Sequence, residues 1–214
     1  TKAYQLPEVA VTLAPLLGDD TTIIPITNGV PWWYFFGHEG TNANRRLTSL
    51  DPRGVLEKTI PLQRVIGGVN YLAGTLVAPG RVWYVNELQG RIALGELDGT
   101  FSARLAAIGD TFDAAGFAAR RSENIRQVIW HKLWGNMAFN PVSALTHATQ
   151  DGIACGVVHE DGTQDISMMV GLMEEGRAVA RALGVVLDQA VETRIAAAAK
   201  MKGHRTSMDM DISQ

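Results

Sequence analysis

The feature that most constrains the fold is a change in sequence pattern near residue 121. Before it, short β-branched and aromatic runs alternate with helical segments and with glycine or proline turns. From Ser122 onward strand patterns disappear and long helical segments dominate. We therefore predict an α/β domain over residues 1–121, followed by an all-helical domain over residues 122–214.

The first part contains nine predicted elements. A helix over residues 6–17 precedes a buried strand, Thr22–Ile26, which ends at the turn signal Asn28-Gly29. A short aromatic helix over Pro31–Phe36 and a helix near Arg53–Glu57 follow. Next come three antiparallel strands, Val65–Thr75, Arg81–Asn86 and Arg91–Gly95, with turns at Pro79-Gly80 and Gln89-Gly90. The last two elements are a helix over Phe101–Ala115 and a strand over Phe117–Arg120.

The second part is predicted to contain three long helices, Ser122–Thr146, Gln164–Leu183 and Gln189–Lys202. Ser122 is a candidate N-cap for the first. Gly184 should end the second, because glycine accepts the left-handed conformation common after a helix.

Composition limits the function classes. The hydrophobic share of 46% and the charged share of 19% are typical of a globular protein. The formal net charge of -3 gives no electrostatic reason to expect nucleic acid or membrane as partners, and no apolar run approaches the roughly 18 residues of a membrane span. A single cysteine, Cys155, excludes an internal disulfide and favours a cytoplasmic location. The first residues resemble the end of a strand and the last residues resemble a helix cut off after its first turns, so we expect an interior piece of a longer chain.

The segment Ile129–Leu145 combines an apolar composition with three polar residues at helical spacing. Lys132, Asn136 and Asn140 recur at i, i+4 and i+8, which places them on one face of a helix. Buried polar groups need partners, and a bound ligand is one source of them. The alternative is an ordinary solvent face. Pro141 cannot donate a backbone hydrogen bond, so we expect the helix to kink or break there.

This segment resembles the active-site helix of the ketopantoate reductase (2-dehydropantoate 2-reductase) family. The matching residues are Trp130, Lys132, Leu133, Asn136, Asn140, Pro141, Ala144 and Leu145. Further matches occur in the family's order along the chain: Lys2, Asn28-Gly29, Gly67-Gly68-Val69, Gly95-Glu96, Ala115-Gly116-Phe117 and Ser207-Met208 with Asp211-Ile212. The resemblance therefore extends over essentially the whole chain.

The resemblance implies a fold and a chemistry. It implies part of a Rossmann-like NADP-binding domain, followed by a helical substrate-binding domain. The implied activity is NADPH-dependent reduction of a 2-keto acid, specifically 2-dehydropantoate to pantoate in pantothenate biosynthesis. Lys132 would be the catalytic proton donor, Asn136, Asn140 and Ser207 would bind the substrate, and Lys2 and Asn28 would contact the cofactor. No metal is expected.

Two departures from the family pattern leave alternatives open. The chain has no Gly-x-Gly-x-x-Gly loop, and it lacks the glutamate that the family places shortly after Asp-Ile. The aromatic run Trp32–Phe36 is either ordinary core or a wall of the substrate pocket. A related NAD(P)-dependent 2-hydroxy acid or sugar-acid dehydrogenase is one alternative, and a noncatalytic binding or dimerisation remnant is another. A homodimer is also compatible with the long apolar helices.

Overall fold

The computed structural model describes residues 1–72, 74–84 and 90–213. The chain divides into two compact units, Thr1–Ile129 and Trp130–Gln214. The division falls inside the long helix Ile125–Thr146, whereas the predicted domain boundary near residue 121 falls just before that helix begins.

Among its described residues, the first unit contains short helices and five strands. Its elements are α1 (Leu6–Leu13), α2 (Val55–Thr59), β1 (Ile66–Asn70), β2 (Gly74–Ala78), β3 (Arg81–Tyr84), β4 (Arg91–Glu96), α3 (Ala103–Ala114) and β5 (Ala118–Arg121), with 3-10 turns at Ala3–Gln5, Ala14–Leu16 and Leu62–Arg64. α2 begins two residues later than expected from Arg53, because Gly54 adopts a left-handed φ of 64° before it.

A three-stranded sheet with the order β1-β4-β5 forms the centre of this unit. β1 and β4 are antiparallel, with Ile66 opposite Glu96, whereas β4 and β5 are parallel and are connected through α3. Ile66, Leu94 and Leu105 are fully buried between this sheet and α3. Apolar burial of this kind is the main stabilising contribution to the unit.

The prediction of a strand over Thr22–Ile26 is wrong. Only one parallel bridge forms, between Ile23 and Val65, with hydrogen bonds from the Ile23 amide to Arg64 (2.7 Å) and from the Ile66 amide to Ile23 (3.0 Å). Pro25 has no amide hydrogen, so the ladder cannot continue from Ile23 along the same edge.

The predicted aromatic helix over Pro31–Phe36 is also wrong, because the segment forms consecutive turns. The Tyr34 amide donates to Pro31 (3.1 Å) and the Phe36 amide to Trp33 (2.9 Å), which are i to i+3 bonds. The carbonyl groups through which a helix would continue beyond Phe36 accept from distant partners: the Phe35 carbonyl from the Asn44 amide, and the Tyr34 and Phe36 carbonyls from Arg126.

The single strand predicted over Val65–Thr75 is two strands in separate sheets. β1 ends at Asn70, whose side-chain oxygen accepts from the Leu72 amide (2.7 Å) and so turns the chain. β2 pairs instead with β3 as an antiparallel hairpin around the predicted Pro79-Gly80 turn, where Gly80 has a φ of 72°. The end of the predicted strand Arg81–Asn86 and Gln89 of the second predicted turn lie outside the described residues.

The second unit is helical. It contains most of α4 (Ile125–Thr146), then α5 (Gln150–Cys155), α6 (Ser167–Ala182), α7 (Val191–Ala198) and α8 (Ser207–Ile212). Gly184, with a φ of 77°, follows α6 as predicted. Two short antiparallel strands of two residues each, β6 (Val157–Val158) and β7 (Gln164–Asp165), form a hairpin. The expectation that strands disappear after Ser122 is therefore wrong at this hairpin.

Two predictions about α4 need correction. The helix continues through Pro141 to Thr146, so it does not break there, and a kink at Pro141 stays a prediction. Buried side chains on both sides of Pro141, including Phe139 and Ser143, keep the helix packed although one backbone bond is missing. The N-terminal cap is Asn124, whose side chain accepts from the Gln127 amide (3.0 Å), while Ser122 accepts from Asn124.

α4 and α6 pack closely in the core of the second unit. The Trp134 indole N–H donates to the Met173 carbonyl (2.7 Å), and the Arg177 guanidinium lies 5.0 Å from the Trp134 ring centroid. Met169 and Ile195 are also buried in this unit. None of the described helices has the length and apolar character that crossing a membrane requires.

Candidate active site

The three polar residues predicted on one helix face do share that face. α4 is helical from Ile125 to Thr146, so Lys132, Asn136 and Asn140 follow one another at successive turns. All three are half-buried, and every residue from Ile125 to Ala144 is at least partly covered. The alternative of an ordinary solvent face therefore does not hold for this helix.

Burial changes the acidity of the lysine. Removal of solvent lowers the pKa of Lys132 from its ordinary 10.5 to about 8, because the neutral amine is favoured where water is excluded. An ammonium with a pKa of about 8 is a better proton donor near neutral pH than an exposed lysine. The arrangement offers one cationic donor and two carboxamides along a single surface.

Ser207 lies in the same unit, at the first residue of α8. It is exposed, and it follows Thr206, whose side chain accepts from the Asp209 amide and caps the helix. The hydroxyl of Ser207 is therefore held at the start of a short helix and remains accessible to a ligand.

Sequence reasoning missed a cluster of side chains around a buried carboxylate near Ser207. The Asp209 side chain is fully buried and lies 2.8 Å from Nδ1 of His147 and 2.5 Å from Nε of Arg205. Arg205 first, and His147 second, lower the pKa of the Asp209 carboxyl. No local sequence pattern indicates the contact, because His147 and Asp209 are 62 residues apart.

The two residues predicted to contact a cofactor lie in the first unit. Lys2 is exposed and precedes the 3-10 turn Ala3–Gln5, and Asn28 is exposed and precedes Gly29, which has a φ of 91°. A Cβ built on Gly29 would meet no atom within 4 Å, so a ligand can approach this backbone. An amine and a carboxamide suit the phosphate and amide oxygens of a dinucleotide, but the glycine-rich loop that cradles pyrophosphate is absent from this sequence.

The aromatic run after Gly29 belongs mainly to the core. Trp32 and Trp33 are buried and pack with Leu56 and Ile125. Arg126 donates to the backbone carbonyl groups of this segment, which fixes it against the start of α4. The interpretation as ordinary core therefore holds for these two tryptophans.

Within the described part of the chain, His, Cys, Asp and Glu side chains form no group of three or more that could hold a metal ion. Cys155 is exposed.

Comparison with known proteins gives consistent matches along the chain. The family model "Ketopantoate reductase PanE/ApbA" matches residues 1–99, and "Ketopantoate reductase PanE/ApbA C terminal" matches residues 124–214. A 2-dehydropantoate 2-reductase from Mesorhizobium japonicum is 39% identical over all of this chain, which spans 63% of that relative's length.

Solved structures show the same fold. A proposed ketopantoate reductase from Ralstonia solanacearum MolK2 superposes with a TM-score of 0.87 and 38% identity, over 97% of this chain and 62% of that one. A D-mandelate dehydrogenase in complex with NADH superposes with a TM-score of 0.74 and 21% identity, over 100% of this chain and 63% of that one. Together with the family models, the Ralstonia match confirms the predicted fold class, a partial Rossmann-like domain followed by a helical domain.

Proposed function

Because the chain belongs to the ketopantoate reductase family, we propose that it takes part in the NADPH-dependent reduction of 2-dehydropantoate to pantoate, a step of pantothenate biosynthesis. The observation that carries the proposal is the face of α4 on which a half-buried lysine is followed by two half-buried carboxamides. The name of the Mesorhizobium relative supports the choice of substrate.

Lys132 is the proposed proton donor. As the keto group is reduced, negative charge develops on its oxygen, and a nearby ammonium stabilises that charge and then transfers a proton to it. The lowered pKa of Lys132, about 8, suits this transfer near neutral pH. NADPH, when bound, supplies the hydride.

The remaining site residues bind and orient. Asn136 and Asn140 can donate and accept hydrogen bonds through their carboxamides, which suits the hydroxyl and carboxylate groups of the keto acid. The exposed hydroxyl of Ser207 adds a further hydrogen bond. We assign Lys2 and Asn28 to the polar groups of the cofactor. Cofactor selectivity for NADPH over NADH, and a cytoplasmic location, are parts of the same proposal.

A related dehydrogenase acting on another 2-hydroxy acid is the second candidate. The likeness to D-mandelate dehydrogenase supports a shared fold, and one fold can accept different substrates. The identity of the acid must therefore come from the side chains of the site. A noncatalytic remnant of such an enzyme is the third candidate.

The test is turnover by the purified protein with a panel of 2-keto acids. Loss of NADPH absorbance should be fastest with 2-dehydropantoate and slower with NADH as the reductant. Faster turnover of an aromatic or unbranched keto acid would favour the second candidate. Absence of turnover with every acid and both cofactors would contradict the proposed function and favour the noncatalytic alternative.

A further inference from the structure

The buried carboxylate of Asp209 connects two parts of the second unit that carry proposed substrate ligands. One oxygen lies 2.8 Å from Nδ1 of His147, and the other lies 2.5 Å from Nε of Arg205. Its side chain is 0% exposed. A carboxylate without water must be satisfied by protein donors, so these contacts fix where the carboxylate lies.

His147 stands at the end of the helix that carries the lysine. It follows Thr146, the last residue of α4, and its amide donates to the Ser143 carbonyl (2.7 Å). Its φ of 57° is left-handed, a conformation more usual for glycine or asparagine at this position. The imidazole nevertheless contributes something that glycine cannot, which is the contact with Asp209.

Asp209 in turn stands in the first turn of α8, two residues after Ser207. α8 has only six residues, too few for a helix to be stable by itself, so side-chain contacts must hold it in place. The Thr206 cap, the Arg205 pair and the His147 contact supply them. Of these contacts, the one with His147 links α8, and so Ser207, to the residue that follows α4, seven residues beyond Asn140.

We propose that His147 and Asp209 are positioning residues for the keto acid: their contact holds Ser207 in the place from which it binds the same substrate as Asn140. The inference rests on the proposed function. Neither residue touches the substrate. They act through the hydroxyl of Ser207, so their loss should weaken substrate binding and leave the proton donor Lys132 unaffected.

The test compares His147→Gly with His147→Asn. Glycine accepts the left-handed backbone and removes the contact with Asp209, whereas asparagine accepts the same backbone and places its amide nitrogen close to the position of Nδ1. We expect His147→Gly to raise KM for the keto acid about tenfold, with kcat within about twofold of the wild-type value. His147→Asn should restore most of the wild-type KM.

A second measurement reads the contact without turnover. Amide hydrogen exchange across Ser207–Ile212 should be faster in His147→Gly than in the wild type, with exchange in α6 unchanged. A fall in kcat without a rise in KM, or equal KM values for both variants, would overturn the positioning role. If the wild type reduces no 2-keto acid, both this role and the proposed function fail. If it does, and His147→Gly keeps the wild-type KM, only the positioning role fails.

Discussion

At the scale of single residues, the environment of Lys132 determines both its acidity and its effect on the stability of the folded protein. A half-buried ammonium has lost part of its hydration, which is why its pKa falls to about 8. The same desolvation destabilises the folded state wherever the lysine is charged. Lys132 is therefore suited to proton transfer and unfavourable for folding, a combination often found at functional sites.

Replacing this lysine should stabilise the protein. We expect Lys132→Met to raise the free energy of unfolding by about 1–3 kcal/mol at neutral pH, a range reduced for the partial exposure of the side chain. The folded pKa of about 8 lies below the ordinary 10.5, so the penalty is complete below pH 8 and disappears as pH rises toward 10.5. Denaturant unfolding at pH 7 and pH 10 checks this, with Lys202→Met, an exposed lysine, as the control. A gain that does not shrink at high pH would contradict it.

The pH dependence of reduction follows from the same group. A proton donor must be protonated, so kcat/KM for keto-acid reduction should be level below pH 8 and should fall above it. The measurement is a pH–rate profile with saturating NADPH, and its control is a profile of NADPH affinity. A rate that rises through pH 8 would exclude Lys132 as the donor.

At the scale of helices and strands, the sequence predicted the elements whose formation depends on local residues alone. Helix α3 was recognised from its apolar spacing, and Gly184 marked the end of α6. The segments around Thr22–Ile26 and Pro31–Phe36 were mispredicted because their hydrogen-bond partners, Arg64 and Arg126, lie far away in sequence. Propensity cannot show which distant carbonyl or amide group is available.

Helix α2 is capped by a side chain that lies about one helical turn before its first residue. The buried Asp51 carboxylate accepts from the amides of Val55 (2.7 Å), Leu56 (3.1 Å) and Glu57 (3.3 Å). Removing it in Asp51→Ala should cost about 1–2 kcal/mol, and Asp51→Asn should cost less because one oxygen remains. Thermal unfolding of the two variants checks this. Equal stability of Asp51→Ala and the wild type would contradict the assignment of the cap.

Two glycines should respond oppositely to alanine. A Cβ at Gly95 in β4 would lie 2.6 Å from the Ser122 carbonyl oxygen, which is backbone and cannot easily move, so Gly95→Ala should destabilise by about 1–3 kcal/mol. Gly171 in α6 is exposed, with no atom within 4 Å of such a Cβ, so Gly171→Ala should stabilise by about 0.5–1 kcal/mol. Chemical denaturation of the two variants would measure the change in the free energy of unfolding for each. A change of the same sign in both would contradict this description of the packing.

At the scale of the whole molecule, the fold class and one face of the candidate site were predictable from sequence. The i, i+4, i+8 spacing of Lys132, Asn136 and Asn140 needed only that the segment be helical, which it is. The contact between His147 and Asp209 was not predictable, because it depends on packing between residues 62 positions apart. The spacing of residues in the sequence indicates which side chains share a face of one helix or strand. Contacts between distant elements can be identified only from the folded structure.

A homodimer stays a prediction. In α6 the residues Met169, Met173 and Ala180 are buried within the chain, while Met168 and Val179 remain exposed. The main apolar face of this helix is therefore used by the chain's own core. Light scattering would decide the matter: twice the mass of one chain would support a homodimer, and the mass of a single chain would contradict it.

Turnover of 2-dehydropantoate by the wild type and by Lys132→Ala, with NADPH affinity measured separately by fluorescence, tests the central claim most directly. We predict steady NADPH consumption by the wild type, a loss of about 10²–10⁴-fold in kcat for the variant, and the same NADPH affinity in both. A variant that turns over substrate at the wild-type rate would contradict the role of this helix face in the reaction.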